Sequence, residues 1–165
     1  MGLAPGLKGA NRTGRPFTGD YAGVLLYQTL KDFGFAGGNY AERREDGLTL
    51  IDCRITNAVR CVPPENKPEP AEDATCRMFL NSEMDAMPNL VAILALGQLA
   101  HTAVLAARGE RRSPYPFGHG KLHTLSDGML LADSYHCSRY NTNTGKLTPA
   151  MFQAVFDALR RRLAL

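Results

Sequence analysis

The apolar positions of this 165-residue chain change their period several times. Over residues 22–33 they recur at Val24, Leu25, Leu26, Leu30 and Phe33 and stop at Gly34, which predicts an amphipathic helix ended by glycine. Residues 48–55 are rich in β-formers and predict a strand. Cys61-Val62-Pro63-Pro64 breaks the chain, and Pro68 and Pro70 keep it irregular. A second helix is predicted over about residues 71–87, burying Cys76, Phe79, Leu80 and Met84. Residues 90–96 form a continuous apolar run, the pattern of a strand buried on both faces, and Gly97 turns it into a helix over about 98–108. Residues 122–125 and 129–132 read as two more strands, followed by a polar loop from Asp133 to Lys146. Thr148 and Pro149 then supply the N-cap and first turn of a last helix. Strands alternating with helices predict one α/β domain with helices on both faces of an open sheet.

The first twenty residues fit neither period. They hold five glycines and two prolines, and a loop of that length in a small domain is usually functional or disordered. An open α/β domain ordinarily begins with a strand and places its functional loop after that strand's carboxyl end. Here the loop starts at residue 2, so the chain is expected to begin in mid-fold, without the usual N-terminal segment.

Composition narrows the class without choosing a function. The net charge is +3 with a pI near 8.7, mildly basic and compatible with a DNA-binding enzyme. The cations that could matter are Lys8, Arg12 and Arg15 at the start and Arg139 and Lys146 in the late polar loop. The run Arg160-Arg161-Arg162 reads as a solvated helix end. With no signal peptide and no apolar stretch near the ~20 residues that span a bilayer, the protein is expected to be cytoplasmic, off the membrane and monomeric. Disulfides are not expected among its four cysteines.

Three groups of residues carry chemistry. The first is Gly2-Leu3-Ala4-Pro5-Gly6, continuing through Asn11-Arg12-Thr13-Gly14-Arg15-Pro16-Phe17-Thr18-Gly19-Asp20. Glycines let backbone approach a ligand, and Asp20 stands just ahead of a helix, either as a plain N-cap or as a working carboxylate. The second is Ser134-Tyr135-His136-Cys137-Ser138-Arg139-Tyr140-Asn141-Thr142 after an apolar strand, the place where α/β sheets put catalysis, although a lone histidine can equally be structural. The third is Cys61 and Cys76, a metal or cluster pair or simply buried thiols.

Taken in order, GLAPG…GANRTGRPFTGD, ITNAVRCVPPENKP, a helix with its cysteine, LALG and SYHCSRYNTNTGKLTP resemble the uracil-DNA glycosylase superfamily, with the iron–sulfur branch called family 5 as the nearest match. The resemblance runs from Gly2 to about Phe156. It implies a three-layer α/β/α fold with a short, mainly parallel sheet. It also implies hydrolysis of the N-glycosidic bond of uracil in DNA, with hypoxanthine and xanthine as further substrates. On this resemblance Phe17 stacks on the extruded base, Asn57 reads its edge, and Ala4 and Pro5 line the base site. His136 hydrogen-bonds the departing base at O2. Ala4 stands where many relatives carry a polar residue, so Asp20 becomes the candidate carboxylate for the sugar cation and the water, with Asn11 in reserve. Arg139, Tyr140, Asn141 and Thr142 form the loop that enters the duplex, and Lys8, Arg12 and Arg15 meet phosphates.

The same resemblance implies a 4Fe-4S cluster held by four cysteines, of which Cys61 and Cys76 match two; the other two belong upstream of the Gly-rich loop. Cys53 is expected as a buried strand residue and Cys137 as a small residue beside His136. The alternative function is an impaired fragment that binds DNA or a partner without excising bases.

Overall fold

The computed structural model describes residues 1–164. In chain order the elements are α1 (Ala10–Thr13), α2 (Tyr21–Asp32), β1 (Ala36–Gly37), β2 (Thr49–Leu50), a 3-10 turn at Pro64–Asn66, α3 (Pro70–Asp85), β3 (Ala92–Leu96), α4 (Gln98–Ala107), β4 (Leu122–Thr124), β5 (Leu130–Ser134), α5 (Arg139–Asn143) and α6 (Pro149–Leu163). They form two compact units: Met1–Ala4 with Asn57–Tyr135, and Pro5–Thr56 with the residues from His136 onward.

The first unit contains the sheet, in the order β3-β5-β4. β3 and β5 run parallel with Ala92 opposite Leu130 and Leu96 opposite Ser134, while β4 is antiparallel to β5. The sheet is therefore short and mixed, with the parallel pairing of β3 and β5 the longer of the two. β3 and β5 are short apolar runs because both of their faces are covered: Ile93, Ala95 and Leu131 pack with Leu80 and Met84 of α3 and with Ala100, Val104 and Leu105 of α4, and Leu96, Leu130 and Ala132 are buried as well. In α3 the inward stripe is Cys76, Leu80 and Met84, spaced by four. Phe79 falls off that stripe and, against expectation, is 52% exposed, under the Arg60 guanidinium.

The opening residues are not loop. The Met1 amine donates to the Leu94 carbonyl and the Leu96 amide donates back to Met1. On the other side Gly2 bridges Asn57 in parallel, and the amides of Ala58 and Val59 donate to Gly2 and Leu3. Residues 1–3 thus pair with backbone on both sides, and the Gly-rich loop begins only after them.

The second unit is built on α2 and α6. α2 buries Ala22, Gly23, Leu26, Tyr27, Thr29 and Leu30. Val24 lies outside that stripe and is exposed, and Gly23 takes the inward place because a side chain there would run into the Phe17 carbonyl. Thr148 caps α6 by accepting from the Met151 amide, as its sequence predicts. Phe152 and Phe156 pack edge to face, and Phe33 lies against Phe156. Arg160 is no part of a solvated end, since it donates to the Phe33 carbonyl at 2.6 Å; Arg161 does face solvent, paired with Asp157. The strand predicted over 48–55 shrinks to Thr49–Leu50, antiparallel to Ala36–Gly37. Asp52, at φ 50°, turns the chain out of extended geometry. Cys53 is accordingly a half-buried loop residue donating to the Phe35 carbonyl, not a strand residue.

Candidate active site

In the second unit, the loop from Pro5 to Asp20 is a wound structure and not a flexible one. Gly14, at φ 73°, stops α1 in the left-handed region that glycine adopts without strain. The Thr13 hydroxyl lies within hydrogen-bond distance of the Gly9, Arg15 and Thr18 carbonyls, at 3.1–3.2 Å. Arg15 closes the loop: its Nε donates to Thr18 Oγ1 at 2.7 Å, and its two terminal nitrogens donate to the two oxygens of Asp46 at 2.8 Å. The same guanidinium lies over the rings of Tyr27 and Tyr40. The Asp46 side chain is fully buried and also accepts from the amides of Ala41 and Leu48. With Arg15 beside it, the Asp46 carboxyl is held well below the usual carboxylate range. Each nitrogen of the Arg15 head group thus makes one hydrogen bond inside the protein, and closing the loop is a task the sequence did not reveal. Sequence reasoning missed Asp46, which sits in a polar stretch without period.

This framework presents three predicted residues together. Phe17 is buried at φ 53°, a strained conformation for a phenylalanine, and its carbonyl accepts from the Tyr40 hydroxyl at 3.2 Å. Its ring centroid lies 5.9 Å from that of His136, with the planes tilted by 32°. Asp20 caps α2, accepting from the Gly23 amide through Oδ1 at 3.1 Å. Its second oxygen lies against Gly6 and Gly9, and a methyl group at Gly9 would collide with it. The cap reading and the working-carboxylate reading of Asp20 are thus compatible, one oxygen serving each. Burial pushes His136 below the ordinary histidine value, and the Asp20 charge pulls it partly back up. A histidine lowered in this way is neutral at physiological pH and can donate one ring N–H.

The residues after His136 are more ordered than a polar loop. Ser138 caps α5, and the Asn141 side-chain amide donates to the His136 carbonyl at 2.8 Å. Asn141 thereby fastens the histidine backbone. Arg139 lies over the Tyr21 ring, while Tyr140 stands out at 73% exposure. Cys137 is fully buried, its thiol pushed up to about 12 by desolvation. Asn11 and Arg12 are exposed on α1, where Arg12 Nε donates to the Lys8 carbonyl.

In the first unit, Ala4 packs against the cluster of Ala58, Val59, Cys76 and Ala103. Pro5 opens the loop of the second unit, half-buried. Asn57 holds a buried side-chain carbonyl with no hydrogen-bond partner among the described residues. An unsatisfied buried acceptor costs roughly 1–3 kcal/mol, which a ligand donor would recover.

A four-thiolate cluster needs four cysteine thiolates. Cys61 is exposed and Cys76 buried, both in the first unit. Cys53, half-buried, and Cys137, fully buried, belong to the second unit. Cys61 and Cys76 would supply two of the four thiolates that such a cluster needs. Among the described residues the group of three or more that comes close enough to hold an ion is His101, His123 and Asp133, with ligand-capable atoms within 4.8 Å of one another.

Residues 1–160 match the family profile described as the uracil DNA glycosylase superfamily. The chain is 44% identical over 165 residues to a Type-5 uracil-DNA glycosylase of Thermus thermophilus, covering all of this chain and 75% of that protein. It is 44% identical over 163 residues to the Type-5 uracil-DNA glycosylase of Mycobacterium bovis, covering 98% of this chain and 61% of that protein. A Type-4 uracil-DNA glycosylase of Sulfurisphaera tokodaii is 30% identical over 162 residues, 94% of this chain and 66% of that protein. The α/β sheet with its glycine-rich loop, and these matches, define the class: the chain belongs to the uracil DNA glycosylase superfamily. Its nearer likeness is to the Type-5 proteins, of which it spans between three-fifths and three-quarters. No helix is long and apolar enough to cross a membrane among the described residues.

Proposed function

We propose that this protein excises uracil from DNA by hydrolysing its N-glycosidic bond, acting on residues 1–165 as one glycosylase domain. The observation that carries the reading is the Phe17–His136 pair, an aromatic ring beside a histidine biased to its neutral form, within a family whose relatives bear that activity in their names. Extruding a base costs a few kcal/mol and least for a mispaired one, so uracil opposite guanine is the favoured substrate. The extruded uracil stacks on Phe17. The Asn57 amide carries the donor and acceptor that an O4 and N3–H edge requires, and its buried carbonyl has no partner among the described residues. As the bond to C1′ breaks, the electron pair leaves with the base and charge grows on O2, where a neutral His136 donates its N–H. The sugar becomes cationic, and the Asp20 carboxylate stabilises it and orients water; the water oxygen bonds C1′ and its proton is released. Lys8, Arg12 and Arg139 meet phosphates. Hypoxanthine and xanthine, which offer a similar carbonyl and N–H edge, are further substrates on this reading.

The test is single-turnover excision on a U·G duplex against an undamaged one. A chain that binds both and releases no uracil would instead fit the alternative, a DNA-binding relative without catalysis.

Asp20→Asn separates the two tasks of that side chain. Asparagine caps a helix as well as aspartate does, so the melting temperature should hardly move while the single-turnover rate falls. An unchanged rate would pass the water-orienting role to Asn11. The pH profile should show the histidine too. Because His136 lies below its ordinary value of 6.5, excision should hold on the alkaline side and decline only as acid protonates the ring. A profile that rises into acid would mean the charged ring is the working form.

A further inference from the structure

The buried polar group of the first unit serves a purpose the mechanism does not use. Asp133, fully buried at the end of β5, places Oδ1 at 2.7 Å from His101 Nδ1 of α4. The other nitrogen of His101 faces the Tyr115 carbonyl at 2.9 Å, so the ring is held between two oxygens. Asp133 Oδ2 accepts from the Gly118 amide at 3.2 Å and faces His123 Nε2 of β4 at 3.3 Å. The Asp133 carbonyl accepts from the Gly120 amide. His119 Nδ1 accepts from the Tyr135 amide at 3.1 Å while its ring stacks on Tyr135 at 4.9 Å. The segment from Tyr115 to Lys121 has no regular secondary structure, yet it is pinned at Tyr115, Gly118, His119 and Gly120.

That segment lies at a particular edge. β4 is antiparallel to β5 with Leu122 opposite Ala132, so Lys121 sits beside the carboxyl end of β5, from which Ser134 and Tyr135 lead on to His136 in sequence. In α/β sheets ligands meet the carboxyl ends of the strands. Lys121 is exposed, forms no ion pair among the described residues, and lays its aliphatic stem across Gly118. Its stem is ordered while its ammonium is left free.

We propose that the Tyr115–Lys121 loop is a rigid DNA-backbone contact, with Lys121 binding a phosphate. The inference rests on the glycosylase reading only for the identity of the polyanion. A phosphate contact weakens binding alike on any sequence, and losing one lowers the slope of log affinity against log salt by about 1.

The experiment measures affinity of the full chain for an undamaged duplex and for a U·G duplex across a potassium chloride series. Lys121→Gln should weaken both complexes several-fold at low salt and reduce the slope by about 1, with an unchanged melting temperature. Lys121→Arg should keep the wild-type slope. Arg161→Gln, on the exposed end of α6, should leave it alone. A Lys121→Gln slope equal to wild type in a chain that excises uracil overturns the loop assignment and spares the activity. A wild-type chain that binds duplex with the Lys121 dependence but releases no uracil overturns the activity and spares the loop.

Discussion

Replacing His136 by alanine is expected to slow single-turnover excision of uracil by about 10²–10³-fold while leaving the affinity for duplex DNA close to wild type. The magnitude is that of removing one preformed donor from an atom on which charge develops. The selectivity for rate over binding follows from where the charge is: the ground-state base is neutral at O2, so the hydrogen bond strengthens only as the glycosidic bond breaks. The geometry adds a reason for the effect to be confined to rate. The histidine backbone is held through its carbonyl by Asn141 and its ring lies beside buried Phe17, so loss of the imidazole leaves the surrounding loop its own anchors. Near-normal turnover in His136→Ala would show that the ring only packs against Phe17.

Asp46→Ala is expected to destabilise the second unit by about 3 kcal/mol and to abolish uracil binding with it, read as a drop in melting temperature and a lost excision rate in the same variant. Removing one partner of a buried ion pair costs roughly 3–5 kcal/mol because the other charge is left uncompensated. Arg15 still reaches water, at 16% side-chain exposure, and that places the expectation at the lower end. The same pair sets an acid limit. Asp46 has a folded value held below its unfolded value of about 3.9, so its contribution is fully present above that value and is lost as pH falls through the lower, folded one. Asp46→Asn should therefore flatten the acid side of the stability curve. An acid limb identical to wild type would remove Asp46 from this role.

Much of this site could be read from the chain because its parts are local. The cap and first turn of α6 and the apolar runs of β3 and β5 follow from period and capping residues and appear where expected, while of the predicted α2 positions Leu26 and Leu30 turn fully inward. The glycine-rich loop and SYH segment pointed to the family that the comparisons support. What escaped the sequence is nonlocal. Arg15 looked like a free cation until Asp46, 31 residues away, closed on it. Asp133 reads in the sequence as the start of a polar loop, although it lies within the fully buried strand β5, against His101 of α4. Residues 1–3 looked like loop because two or three residues are too few to show a period; only their pairing on both sides reveals them as extended. Phe79 and Val24 were counted as core for being apolar, and a helix has room for only one inward stripe.

The Arg15–Asp46 clasp also bears on when the recognition loop comes into being. Closing a chain segment of that size costs conformational entropy that grows with the logarithm of its length, and the loop's own glycines add to the freedom that must be surrendered. The strained Phe17 and the Asp20 cap stand on the same loop that Arg15 closes onto Asp46, 31 residues away. Local opening around Asp46 would therefore cost that loop its clasp while the helices of the unit were still formed.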